Sequence, residues 1–184
     1  MDRRQRKTRD AIFSAFIGLL SKKNFNQITV GEIIERADVG RATFYAHFET
    51  KDFLLRELCL ELFDHIFESD LGVDSAHEHI FDCDEQGSVF LHLLQHLKKN
   101  DNNILELFAS ENNELFLGYF KENLKTLVKN RLDLFDGKIS DELPNDFKIN
   151  HIASTFVETV RWWTSGGLKE SPETITKYFF LAIS

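Results

Sequence analysis

Residues 29–51 have the sequence TVGEIIERADVGRATFYAHFETK, whose pattern predicts a helix, a tight turn and a second short helix. Apolar residues recur at helical spacing over Val30–Ala37, so one face of the first helix is expected to be buried. Thr29 precedes that run and Glu32 follows three residues later, which is the capping-box arrangement of a helix start. The Asp38–Gly40 segment then breaks the helix, because Asp and Gly tolerate the backbone conformations that a sharp turn needs.

The second helix is predicted over Arg41–Phe48. Phe44 and Phe48 fall on one side of it and are expected in the core, which leaves the polar residues on the other side. Two helices joined by a three-residue turn form a helix-turn-helix, whose second helix can lie in the major groove of DNA.

The segment VGEIIERADVGRATFYAHFETKDFLL resembles the DNA-binding signature of the TetR/AcrR transcriptional regulators, and the resemblance extends from about Lys7 to about Leu58. Its most specific part is the T-F-Y-x-H-F-x-x-K run over Thr43–Lys51. Asp38 stands where the family usually has Gly, and Gly40 stands where it usually has Ser. Gly at an N-cap costs only about a few tenths of a kcal/mol relative to Ser, so the second helix should still form.

The resemblance implies a set of DNA-binding residues, to which base-reading and phosphate-binding roles can be given. Residues at the start of the recognition helix reach base edges, and Arg41 has the fork geometry for guanine O6 and N7. Hydroxyl, imidazole and ammonium groups nearby fit phosphate contacts. The predicted DNA-binding residues are Thr29, Arg41, Ala42, Thr43, Tyr45, His47 and Lys51.

Other roles stay open for several of these residues. Tyr45 can pack on the first helix, His47 can make a local hydrogen bond, and Arg41 can contact phosphate alone. The basic arm Arg3–Arg9 can add nonspecific or minor-groove contacts, or it can be a solvated tail.

The net charge of −8 divides unevenly along the chain. Residues 1–56 carry 11 Lys and Arg against 7 Asp and Glu, a balance of +4, whereas residues 57–184 carry 11 against 23, a balance of −12. Basic side chains therefore concentrate where the helix-turn-helix lies, and the acidic remainder is repelled by phosphate. This asymmetry favours a DNA-binding domain over residues 1–50 and a second domain with a different task over residues 51–184.

A cytoplasmic protein is predicted from the N-terminus and the cysteines. The uncharged run after the basic residues is amphipathic, has no small-residue cleavage site and is too short to span a bilayer. Cys59 and Cys83 form no C-x-x-C pair and are expected as reduced thiols, with Cys59 in a packed core position.

The whole chain is predicted to be helical, since only two prolines occur and neither interrupts a periodic run. We expect a long fourth helix, capped by Thr50, to start at the DNA and end in the C-terminal domain. Loops are predicted over Ser69–Glu85 and Asp136–Pro144. The predicted helices are Lys7–Lys22, Val30–Ala37, Arg41–Phe48, the fourth to about Glu68, Gln86–Lys99, Asn102–Ala109, Asn113–Leu134, Phe147–Thr164 and one from Ser171-Pro172 onward.

The last two helices carry a broad apolar face, which can be either the core of one chain or a dimer seam. A seam is favoured because paired helix-turn-helix units read DNA with two-fold symmetry. The stretch VRWWTSGGLKESPE, Val160–Glu173, also resembles the ending of one TetR subfamily whose members dimerise through this region. The predicted dimerisation residues are Ile152, Phe156, Val160, Trp163, Ile175 and Phe179.

The C-terminal domain holds most of the 18 phenylalanines, which either line an effector pocket or fill the core. A cluster of His77, His79, Cys83 and Asp84, with His92 and His96 at i, i+4 spacing, makes metal binding conceivable but matches no zinc-hydrolase motif. The chain shows no catalytic constellation and no cofactor motif, so no enzyme is expected.

Together these patterns predict an all-α protein with an N-terminal helix-turn-helix domain and a C-terminal helical dimerisation and effector domain. Its expected function is that of a homodimeric repressor of the TetR type, released from a palindromic DNA operator by a small-molecule effector. The alternative is a TetR-like activator or architectural factor controlled by a protein partner. A helical metal-dependent enzyme is a third class, which would need His77 and His79 as metal ligands.

Overall fold

The computed structural model describes residues 3–20, 22–70, 89–99, 103–109 and 114–183, and all regular structure in these ranges is helical. Short 3-10 turns at Phe25–Gln27 and Leu132–Phe135 connect some of the helices. The α-helices are α1 (Arg3–Leu20), α2 (Val30–Ala37), α3 (Arg41–His47), α4 (Lys51–Asp70), α5 (Val89–Lys99), α6 (Asn103–Ala109), α7 (Glu114–Asn130), α8 (Asn145–Ser165) and α9 (Pro172–Ile183).

Helices α1 to α3 share a small aromatic core. Phe13 of α1 lies edge-on to Phe48, with ring centroids 5.3 Å apart, and Phe44 is fully buried beside them. Helix α2 contributes Ile33, which is also fully buried. These residues are the apolar positions of the sequence pattern, so the helix-turn-helix is held by the side chains that predict it.

The predicted helix bounds agree with the structure within a few residues, with two informative exceptions, at the start of α1 and at the end of α7. Helix α1 begins at Arg3 rather than Lys7, because Arg, Gln and Lys are good helix formers and no breaker separates them. The predicted helix over Asn113–Leu134 is divided into α7 and the 3-10 turn at Leu132–Phe135. Residues 71–88, which hold most of the predicted Ser69–Glu85 loop, lie outside the described residues.

Helix α4 belongs to both halves of the molecule. It packs against α7 and α5 of the C-terminal half, and its first turns are bonded to α1. There the Arg9 guanidinium lies 2.9 Å from a Glu57 carboxylate oxygen and 3.0 Å from one of Glu61. The same guanidinium lies over the Phe13 ring, so Arg9 joins α1 to α4 by charge and by packing.

Helices α8 and α9 pack on each other through the apolar stripe that the sequence analysis assigned to the dimer seam. All six of those residues have zero exposed area within the single chain, so none has surface to offer a second chain. The stripe is therefore the core of one chain, the other interpretation of this pattern, and a seam on these helices must use their outer faces. The corrected residues are Ile152, Phe156, Val160, Trp163, Ile175 and Phe179.

The junction between α8 and α9 follows the sequence signals closely. Gly167 has a positive φ of 78° after the end of α8, which a residue with a side chain rarely adopts. The indole N–H of Trp163 donates to the Glu170 carbonyl at 3.1 Å, and the Ser171 hydroxyl accepts from the Thr174 amide at 3.3 Å to cap α9. These bonds fix the angle at which α9 returns along α8.

Cys59 is buried in α4, as predicted, and burial raises the pKa of its thiol to about 12. A protonated thiol is a poor nucleophile, so this cysteine serves as a small core residue. None of the described helices combines the length and the apolarity needed to cross a membrane.

Candidate DNA-binding surface

The turn before the recognition helix has the geometry that its sequence predicts. Asp38 lies in the left-handed region, with φ 52° and ψ 48°, and its amide bonds back to the end of α2. Gly40 is the N-cap of α3 and has no side chain to bond the first turn. A Cβ built on Gly40 would lie 3.7 Å from the Thr43 hydroxyl, an ordinary contact, so the Ser that the family usually has would fit here.

Helix α3 buries one side and presents the other to solvent. Phe44 and Phe48 have no exposed area, which fixes the rotation of the helix about its axis. Arg41, Ala42 and Thr43 are exposed on its first turn. Guanidinium, methyl and hydroxyl groups at the start of an exposed helix can reach base edges in a major groove.

Two aromatic residues follow on the same helix. The Tyr45 ring is 46% exposed and packs edge-on against Phe44, with ring centroids 5.4 Å apart. This contact holds the ring without burying it. His47 is half-buried beside Phe48. Neither side chain is fully buried, so both are candidates for a phosphate contact.

Thr29 begins α2 with the predicted capping box. Its hydroxyl accepts from the Glu32 amide at 3.3 Å and donates to the Glu32 carboxylate at 2.9 Å, and the same carboxylate accepts from the Thr29 amide at 2.9 Å. A hydrogen bond from Lys23, followed by those from Thr29, lowers the pKa of Glu32 to about 2. A phosphate contact from the Thr29 hydroxyl would compete with this carboxylate for its single proton.

Lys51 points its ammonium into the protein. The Nζ atom donates to the carbonyls of Phe25 and Ile28, each at 2.8 Å, and lies 4.2 Å from the centroid of the Phe25 ring. Burial lowers the pKa of Lys51, although Asp52 opposes that shift. The sequence does not predict this arrangement. A lysine in the first turn of a helix beside a helix-turn-helix favours a phosphate contact instead.

The basic segment Arg3–Arg9 is not a tail in the structure but the first two turns of α1. Arg9 is paired with Glu57 and Glu61 and so is spent on holding α1 to α4. The first turns of α1 and the α2–α3 turn border a groove of about 510 Å³. Its lining residues are Arg3, Arg4, Lys7, Thr8, Ala11, Ala37, Asp38 and Val39.

A second groove, of about 550 Å³, lies on the outer faces of α8 and α9. Trp162 and Tyr178 meet there with ring centroids 6.2 Å apart, and Trp162 is 56% exposed. Leu181, 62% exposed, lies on the same outer side of α9. These residues are not predicted from the sequence pattern, because they lie off the stripe with the most apolar positions. The signal that could have found them is a large apolar residue off that stripe.

The predicted metal cluster is tested only in part, because His77, His79, Cys83 and Asp84 lie outside the described residues. His92 and His96 of α5 are buried, with their Nε2 atoms 2.9 Å apart. Within the described ranges, no group of three or more His, Cys, Asp or Glu residues is arranged to hold a metal ion.

Models of known protein families match two stretches of the chain. Residues 12–58 match the model of bacterial regulatory proteins of the tetR family, and residues 84–184 match a transcriptional regulator C-terminal region. A TetR transcriptional regulator from Streptococcus agalactiae 2603V is similar over the full length: it is 35% identical, with coverage of 100% of this chain and 97% of that chain and a TM-score of 0.74. The chain belongs to the TetR family.

Two further relatives are similar to narrower extents. The uncharacterized HTH-type transcriptional regulator YxbF from Bacillus subtilis (strain 168) is 37% identical over 71 residues, which span 36% of this chain and only 19% of YxbF. The transcriptional regulator FadR from Bacillus subtilis, solved in complex with stearoyl-CoA, has a TM-score of 0.60 over 94% of this chain and 96% of that one. At 18% identity, FadR shows the shared fold alone.

Membership of the TetR family makes the chain a transcriptional regulator with a DNA-binding helix-turn-helix rather than an enzyme. The all-α fold with an N-terminal helix-turn-helix is thereby confirmed.

Proposed function

We propose that this TetR-family regulator acts in the cytoplasm as a homodimeric repressor that binds a palindromic operator. The observation that carries the proposal is the exposed first turn of α3, which buried Phe44 and Phe48 hold at a fixed rotation. We divide the chain at the start of α4, with residues 1–50 as the DNA-binding domain and residues 51–184 as the dimerisation and effector domain.

Base reading is assigned to the first turn of α3. Arg41 would bond guanine, and Ala42 or the Thr43 methyl would meet a thymine methyl. Tyr45 and His47 would bond phosphates through the hydroxyl and a ring N–H, and Thr29 would do so at the start of α2.

The basic groove beside α1 supports additional phosphate contacts. Arg3, Arg4 and Lys7 lie at the N-terminal end of α1, where the helix dipole disfavours positive charge. A DNA phosphate in or beside this groove would offset that repulsion. In the unbound protein these three charges destabilise the start of α1, which indicates that they serve binding rather than stability.

Dimerisation is assigned to the outer faces of α8 and α9. Trp162, Tyr178 and Leu181 form an apolar patch there, which a second copy would cover. A protein partner covering the same patch is the alternative, and the mass of the chain in solution separates the two.

Effector binding is assigned to the C-terminal domain. FadR in complex with stearoyl-CoA is a protein of this fold that holds a small molecule. In the described part of the C-terminal domain, however, phenylalanines such as Phe108 and Phe120 pack ring on ring, with centroids 4.8 Å apart, which favours core filling at those positions. Stearoyl-CoA is a reasonable first probe. An effector releases the protein from DNA if it binds the conformation that does not bind DNA more tightly than the conformation that does.

In vitro transcription tests the repressor role. A promoter overlapping the site that the protein selects from random duplex DNA should be transcribed less when the protein is added, with the Tyr45→Ala variant as control. Unchanged or increased transcription at full occupancy would reject repression and favour the activator alternative. Addition of stearoyl-CoA should restore transcription if it is an effector, and no restoration would exclude that ligand.

A further inference from the structure

Lys51 is held by a part of the chain far from it in sequence. Its ammonium donates to the carbonyls of Phe25 and Ile28, both at 2.8 Å, and faces the Phe25 ring. Charge-assisted bonds of this kind are stronger than neutral ones. One side chain thus fastens both ends of the Phe25–Gln27 turn to the first turn of α4.

That turn leads directly into α2. The Ile28 amide closes the turn by donating to the Phe25 carbonyl at 3.2 Å, and the next residue, Thr29, is the N-cap of α2. Helix α2 in turn sets α3, because the Val39 amide bonds to the Ile34 carbonyl at 3.1 Å across the connecting turn. A displacement of residues 25–28 would therefore move the start of α2 and, through it, the recognition helix.

To contact a phosphate, the Lys51 ammonium would have to turn away from the Phe25 and Ile28 carbonyls. Two of its three protons are directed at carbonyls, and the cation is partly desolvated against an aromatic ring. Turning to a phosphate would remove this charged donor from both carbonyls and leave the Phe25 carbonyl with the Ile28 amide. Phe25 and Ile28 are buried, and taking a donor from a backbone acceptor that is shielded from water is costly.

We propose that Lys51 is a positioning residue, which fixes the start of α2 against α4 for DNA binding and makes no phosphate contact itself. It differs from Tyr45 and His47 in this respect. Its removal should change the DNA-binding surface before any DNA is present.

The dependence of DNA affinity on salt separates the two roles. Each phosphate contact contributes about 0.9 to the slope of log K against log salt concentration, so losing one contact from each of two subunits would flatten the slope by about 1.8. The Lys51→Met variant should bind the selected site about tenfold more weakly, a loss of about 1.4 kcal/mol, with an unchanged slope. Lys22→Met, which removes an exposed lysine of the same domain, controls for the loss of one charge.

Amide hydrogen exchange without DNA tests the positioning role directly. In Lys51→Met, exchange should accelerate at residues 28–32 while the protection of α1 stays at its wild-type level. Uniform acceleration through residues 3–50 would reduce Lys51 to a general structural role, and unchanged exchange would exclude any positioning role. Either result overturns the proposal, as does a flatter salt slope. These measurements without DNA hold whatever the operator or the oligomeric state.

The wild-type protein provides a second test if the variant does not fold. The Lys51 ammonium should give a slowly exchanging NMR signal in the free protein, because its protons are hydrogen-bonded. That signal should keep its chemical shift when operator DNA is added. A signal that appears or moves only with DNA would assign the ammonium to phosphate and contradict the proposal.

Discussion

Arg41 shows how one residue's role depends on its neighbours on the helix. Buried Phe44 fixes the face of α3, so the guanidinium at the first position lies on the exposed side, where it can bond a base or a phosphate. Arg41→Ala should therefore relax preference at one operator position, with a cost of about 1–3 kcal/mol for the preferred base. Competition between operator variants measures this. Equal weakening at all sites would restrict Arg41 to phosphate.

Glu32 gives a pH-dependent prediction at the same scale. Its pKa is lowered to about 2 by Lys23 first and then by Thr29, so the charged carboxylate stabilises the start of α2. That contribution is complete above the ordinary value of 4.5 and is lost as the pH falls towards 2. NMR titration of the Glu32 carboxyl should give a midpoint near 2, and Lys23→Met should raise it.

The neighbouring Lys22→Met substitution is the matched control, and it should leave the Glu32 midpoint in place. A wild-type midpoint near 4.5 would contradict the bonded geometry.

The capping box itself follows from the sequence, because Thr and Glu three residues apart define it. The hydrogen-bond partners of Lys51 could not be predicted from the sequence. A long flexible side chain can turn towards solvent or towards the protein, and residue spacing does not decide between the two.

At the scale of elements, α2 and α3 could be predicted almost to the residue. The capping box marks the start of α2, the Asp38–Gly40 break separates the two helices, and the apolar positions Ile33 and Phe44 are buried in the core. The start of α1 could not be predicted, since good helix formers without an apolar pattern are compatible with a helix or a solvated arm. In the structure these residues continue α1 back to Arg3.

Arg9 and Lys7 make a matched pair on that helix. Arg9→Met should lower the free energy of unfolding by about 1–2 kcal/mol, because it removes two partly buried ion pairs, and should leave the salt slope of DNA binding unchanged. Lys7→Met should change stability by less than about 0.5 kcal/mol but flatten that slope. Urea unfolding and salt titrations measure both. A flatter salt dependence of DNA binding for Arg9→Met would indicate that Arg9 contacts a phosphate.

At the scale of the whole molecule, the sequence determined the fold class but not which apolar face is inside. Helices α8 and α9 carry a wide apolar stripe, and such a stripe fits a core and a dimer seam equally well. Packing decides, because Phe156 and Phe179 meet edge-on with centroids 5.1 Å apart within one chain. Trp162 and Leu181 stay exposed.

The proposed dimer predicts opposite outcomes for inner and outer residues. Leu181→Arg should yield a folded monomer, whereas Phe179→Ala should cost about 3–5 kcal/mol of stability because it empties a core position. Leu143→Arg alters an exposed leucine in the segment before α8 and should leave the dimer intact. Sedimentation with thermal unfolding measures both effects. A dimer that survives Leu181→Arg would exclude Leu181 from the seam.

Selection of binding sites from random duplex DNA tests whether the exposed side of α3 reads a palindromic DNA sequence. The wild-type protein should enrich one palindrome, whose two halves lie about one helical turn apart. Tyr45→Ala, which removes an exposed ring without emptying the core, should lose that enrichment. A folded, dimeric wild-type protein that enriches no sequence would contradict this role of α3.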